Sequence, residues 1–103
     1  MGKEIPQDDP QLVERLRDPA RCREAFGEVI GRYSEPLYWL IRRMVNSHDD
    51  ANDLLQNTFM KAWQALENFR GDARLSTWLY KIAVNESITH LDRERRRAGV
   101  SLG

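Results

Sequence analysis

The chain contains one cysteine, Cys22, and so has no second thiol with which to close an intramolecular disulfide. A reducing compartment is expected. Long apolar runs are also missing. The best stretch, PLYWLI from Pro36 to Ile41, is cut off by Arg42 and Arg43, far short of the ~20 residues that cross a bilayer. Membrane insertion is not expected. The opening MGKEIPQDD lacks the basic-then-apolar order of a secretory leader, so the expected location is cytoplasmic. There is no net charge: 16 basic residues balance 16 acidic ones, which argues against strong free-standing attraction to nucleic acid. Catalytic signatures are absent too. His48 and His90 lie far apart, no Cys or His falls at metal-ligand spacing, and no glycine-rich stretch is present to cradle a phosphate. No enzyme, cofactor or metal is therefore expected, and both histidines read as structural or solvated.

What is present is helical periodicity, in a length of 103 residues that supports one domain with a modest core. Residues 1–8 show no periodicity and read as a flexible N-terminus. Asp9-Pro10 looks like an N-cap followed by proline at the first helical position, with Leu12, Val13 and Leu16 forming a short stripe. Asp18-Pro19 repeats that signal. A longer helix then places Phe26, Val29, Ile30 and Tyr33 on one face. Leu37, Leu40, Ile41, Met44 and Val45 continue the pattern past Pro36, where a break, a kink or a new start capped by Ser34 is expected. Asn46-Ser47-His48 is the next break, and Asp49 or a neighbour is expected to cap the helix after it.

At roughly 100° per residue, that helix groups Leu55, Phe59, Ala62, Trp63 and Leu66 on a buried face. Asp50, Asp53, Asn57, Met60 and Gln64 lie opposite. An exposed methionine beside acidic groups suits a docking surface, although a single exposed apolar residue is ordinary. The aspartates at 49, 50 and 53 read as helix-start residues in preference to a cation site. Asn68 to Asp72 reads as a loop, with Asn68 ending one helix and Ser76 capping the next behind a Leu75 staple. Along that last helix, Leu75, Trp78, Leu79 and Ala83 form one apolar side, and Val84, Ile88 and Leu91 form another. A polar stripe of Lys81, Asn85, Thr89, Asp92 and Arg96 runs between them. The expected fold is all-α, a compact helical bundle of about four to five helices over residues 9–97.

Two uses fit the last part of the chain. Phe69, Trp78 and Tyr80 could stack on an unpaired base beside hydrogen-bonding groups and a basic helix end, the parts needed to hold a nucleic acid strand. Alternatively, Phe69 and Trp78 are core rings and the arginines merely complement the helix dipole. Spacing alone leaves both open.

Three stretches have a more specific wording. They are D-x-x-D-L-x-Q-x-T-F-x-K-A-W from Asp50 to Trp63, F-R-G-D from Phe69 to Asp72, and T-W-L-Y-K-I-A-V-N from Thr77 to Asn85. With their surroundings they make the chain from about Arg21 onward resemble the second conserved domain of bacterial sigma factors of the extracytoplasmic-function (ECF) group. The resemblance implies a transcription-initiation specificity domain with two surfaces. Asp50, Asp53, Gln56, Asn57 and Met60 would face the clamp helices of the largest catalytic subunit of RNA polymerase core. Lys61, Phe69, Arg70, Gly71, Asp72, Arg74, Ser76, Thr77, Trp78, Tyr80, Lys81, Asn85 and Thr89 would face promoter DNA. There the loop would capture a base flipped from the non-template strand of the minus-ten element. Asn52 and Asn57 stand where the family usually has acidic residues. The resemblance also implies an anti-sigma factor as a partner, and it makes residues 98–103 the start of a linker toward a C-terminal helix-turn-helix domain. The alternative is a sigma-like protein-interaction module, held by an anti-sigma partner, that reads no bases itself.

Overall fold

The computed structural model describes residues 9–69, 71 and 73–99. Asp9 opens the first helix as expected. Its carboxylate accepts hydrogen bonds from the backbone N–H groups of Gln11 (3.0 Å) and Leu12 (3.4 Å), and Pro10 occupies the first turn of α1 (Pro10–Leu16). Leu12 and Leu16 are buried. Asp18 then organises a turn by accepting from the N–H of Ala20 at 2.9 Å, and α2 (Cys22–Arg42) starts three residues beyond the expected Pro19. The ion pair Arg15–Glu28 (2.9 Å) ties α1 to α2.

The expected break at Pro36 does not occur, because α2 runs unbroken through it and Ser34 donates its hydroxyl to the carbonyl of Ile30 instead of capping a new helix. A proline inside a helix costs about 3 kcal/mol. That cost is offset here by one continuous buried stripe of Phe26, Val29, Tyr33, Leu37 and Ile41, each burial contributing roughly 1.5–3 kcal/mol. Pro36 itself is buried within that packing.

Ser47, and not Asp49, caps α3 (His48–Gln64), its hydroxyl accepting from the N–H of Asp50 at 3.2 Å. The buried face of α3 is also rotated from the expected one. Ala51, Leu54, Thr58, Phe59 and Ala62 are buried, Leu55 is half-buried and Trp63 is 40% exposed. The helix packs on α2 and on α4 together, which centres its buried arc on the Ala51–Thr58–Ala62 line. Thr58 is tolerated there because its hydroxyl donates to the carbonyl of Leu54 at 2.7 Å.

Ala65, and not Asn68, ends α3, and a 3-10 turn (Leu66–Asn68) follows, closed by the bond from Phe69 N–H to Leu66 C=O (3.0 Å). This tuck sends Phe69 into the core. The last helix, α4 (Leu75–Arg97), starts at Leu75 with Arg74 at the cap position, so Ser76 is a buried residue of the first turn and not the cap. Ser87, also buried, donates to the carbonyl of Ala83 at 2.9 Å, and small residues let α4 approach α3 closely. The described residues thus form four α-helices and a 3-10 turn around one core, with no strand among them. None of these helices is long and apolar enough to cross a membrane.

Candidate nucleic-acid interface

The loop between α3 and α4 is fixed at both ends by rings. Phe69 is 5% exposed, and its centroid lies 4.9 Å from that of Trp78 at an interplanar angle of 33°. Gly71 follows in the left-handed region, with φ of +82°, a conformation that a side chain strains against. The helix α1 stands behind the loop: a methyl group placed at Gly71 would lie 3.7 Å from Val13 Cγ1 and 3.9 Å from Arg17 Nη1. Arg70 and Asp72 lie outside the described residues.

Beyond the loop, the start of α4 brings several predicted residues together. Ser76, Thr77, Tyr80, Lys81 and Val84 line a shallow depression of about 380 Å³. Thr77, Lys81, Asn85 and Thr89 are exposed along one edge, Arg74 is exposed at the helix start, and Trp78 is half-buried. Tyr80 is also half-buried, and burial pushes its phenol above the ordinary tyrosine value. Ser76, at 8% exposure, contributes mainly to packing. A larger groove of about 710 Å³ lies between the end of α1 and the Trp63–Phe69 segment, with Arg17, Trp63 and Phe69 among its lining residues.

The second predicted surface lies on α3. Asp53, Gln56, Asn57 and Met60 are all exposed, Met60 at 57%, and their spacing of three, one and three residues puts them on one helical stripe. Asp50 departs from it. It is half-buried and turned toward α4, where His90 Nε2 lies 3.4 Å from its carboxylate and 3.8 Å from that of Glu94. These three residues place one ligand-capable atom each within 4.8 Å of one another. The cluster comes from two helices, so sequence spacing did not show it, and these contacts, between α3 and α4 and within α4, account for it. His48 is a bridge as well, contacting Tyr38 of α2 through Nδ1 and Asn52 of α3 through Nε2 (3.1 Å).

Sequence reasoning missed the partner of Lys61. Its Nζ lies 3.0 Å from a carboxylate oxygen of Glu86 on α4, so a predicted DNA-facing cation is already paired within the chain. Glu86 also lines a polar concavity of about 180 Å³ with Asp50, Asp53, Asn57, Thr89, His90 and Arg93. That concavity adjoins both surfaces. No helical spacing signals a pair formed across two helices.

Residues 29–97 match the family model described as Sigma-70 region 2. The chain is similar to the RNA polymerase sigma-H factor of Pseudomonas aeruginosa, with 41% identity over 91 residues, 88% of this chain and 46% of that protein. It is likewise similar to the ECF RNA polymerase sigma-E factor of Escherichia coli, 40% identical over 89 residues, 86% of this chain and 45% of that protein. The chain spans less than half the length of these curated relatives. Among solved structures, it resembles the NMR structure of an engineered region 2 of sigmaE in complex with GTAAAA. The TM-score is 0.74 at 38% identity, covering 84% of this chain and 88% of that one.

Proposed function

The chain belongs to the sigma-70 region 2 family, a family of non-enzymatic transcription initiation factors, and from that membership we propose that it is the promoter-recognition domain of an ECF sigma factor. In this reading the α3 stripe of Asp53, Gln56, Asn57 and Met60 docks on the clamp helices of RNA polymerase core. The Phe69–Leu75 loop and the exposed edge of α4 hold the non-template strand of the minus-ten element and capture one flipped base. An anti-sigma factor is the expected regulator, and the bacterial cytoplasm the expected location.

One observation supports the DNA half of this reading above the others: the start of α4 carries a depression lined by Ser76, Thr77, Tyr80 and Lys81, a few residues after the positive-φ turn at Gly71. That depression offers a strand an apolar floor, a phenol hydroxyl and a cation. Unstacking a base costs a few kcal/mol, and stacking with hydrogen bonds in a prepared pocket can offset it. Near-zero net charge fits the same role, since weak intrinsic affinity makes recognition conditional on assembly with polymerase.

The closed stack of Phe69 on Trp78 favours a second reading. A ring with 5% exposure offers little free face to a base, as a module that binds only proteins would permit. Fluorescence anisotropy separates the two. The chain is titrated against single-stranded GTAAAA, a scrambled hexamer and the matched duplex, with Asn85→Ala in parallel. Preference for GTAAAA that N85A weakens supports base reading. Equal or absent binding to both strands removes intrinsic base reading from this chain and favours the protein-only module.

A further inference from the structure

We propose that Glu86 is an intramolecular competitor for the DNA-facing cation Lys61, and so sets how tightly this domain holds a strand. This rests on the reading that Lys61 faces DNA. The geometry is specific. Lys61 Nζ and Glu86 lie 3.0 Å apart across the α3–α4 seam, and the two side chains differ sharply in exposure, 59% for the lysine against 16% for the glutamate. The exposed partner can swing away to a phosphate. The sheltered one, on α4 next to the fully buried Ser87, is the less free to follow it.

Binding a strand through Lys61 therefore exchanges one ion pair for another. The ammonium gains a phosphate but leaves a partly desolvated carboxylate without its cation, and that loss subtracts from the gain. The vacated carboxylate faces a concavity it shares with Asp50, Asp53, His90 and Arg93, where three carboxylates outnumber one arginine. There it recruits a cation from solution. One counterion released from the DNA is thus balanced by one taken up by the protein, which flattens the salt dependence of binding. Glu86 also stands beside Asn85, so the attenuation acts at the edge of α4 proposed to read the strand. It is a positioning residue, acting on DNA only through Lys61.

The test uses anisotropy of fluorescein-labelled single-stranded GTAAAA with four forms of this chain: wild type, Glu86→Gln, Lys61→Met and the double variant. Titrations run across a salt series, with circular dichroism confirming that each form is folded. E86Q is expected to bind about 1.5- to fivefold tighter, the range set by removing a competing ion pair. Its log–log salt slope is expected to be steeper by about 0.7, the increment for one phosphate contact on a single strand. In the K61M background both gains vanish.

A gain that persists with K61M overturns the proposal, because it would then reflect loss of one negative charge from the surface. So does an E86Q affinity and slope identical to wild type while wild type binds and N85A weakens it. That outcome spares the DNA-binding reading. Failure of every form to bind GTAAAA removes the DNA-binding reading, and this proposal with it.

Discussion

Phe69 and Trp78 stack across the loop that separates α3 from α4, centroids 4.9 Å apart and planes 33° from parallel. The contact joins the end of the 3-10 turn to the first turn of α4, and Phe69 is on its core side. Its expected primary contribution is to stability.

Phe69→Ala is accordingly expected to lower unfolding free energy by about 3–5 kcal/mol, and Phe69→Leu by much less. Urea denaturation followed by circular dichroism measures both. A loss for F69A below about 1 kcal/mol would mean that the ring is not a core element.

Gly71 makes a sharper test, because two explanations for a glycine predict different things. Space is available at the Cβ position, where Val13 and Arg17 lie at ordinary contact distance, so the demand comes from φ of +82° alone. Gly71→Ala should cost about 1–2 kcal/mol. Gly71→Asn should cost less, since asparagine tolerates the left-handed region. Equal costs for both, measured by thermal melting, would point to crowding instead of backbone strain.

Met60 is 57% exposed and touches little within the domain. Met60→Ala is expected to leave the melting temperature unchanged while weakening association with RNA polymerase core by about tenfold, the loss of one well-placed interface anchor. Asp53→Lys, a charge reversal on the same stripe, should weaken it further. Native gel competition with purified core reads the affinity. Undiminished binding by both variants would put the polymerase-facing surface elsewhere.

Acid should loosen the α1–α2 corner first. The N–H of Ala20, and then the guanidinium of Arg21, hold the Asp18 carboxyl below its ordinary value; Arg15 does the same for Glu28, with Arg32 adding to it. A depressed folded-state value means these groups stabilise the fold in full above their unfolded values of about 4, and the contribution disappears as pH falls through the folded values. Both carboxylates are solvent-exposed, which keeps the effect small. Urea midpoints from about pH 5 to about pH 3 should therefore fall more for wild type than for Asp18→Ala/Glu28→Gln. Parallel curves would contradict the assignment.

Much of this was legible from one-dimensional spacing, and the failures share a cause. The helices, the Asp9 cap, the exposed stripe from Asp53 to Met60 and the turn at Gly71 all depend on neighbours within a few residues. Spacing and turn chemistry report such neighbours directly. Pro36, Trp63, Ser76 and Lys61 were misjudged or incompletely read because partners from another helix decide their environments. The stripe from Phe26 to Ile41 carries α2 past its proline. Two-sided packing turns Trp63 outward, although its ring still meets Phe26 at 5.2 Å. The tuck at Phe69 moves the start of α4 one residue ahead of the serine that looks like its cap.

The family match begins at residue 29, yet Leu12 and Leu16 of α1 belong to the same core as Val29 and Tyr33. A recombinant fragment trimmed to the matched boundary would lose the first turns of α2 along with α1 and bare an apolar flank. Poor solubility of such a fragment would then report a misplaced cut, and say nothing about how well the remaining residues read a promoter.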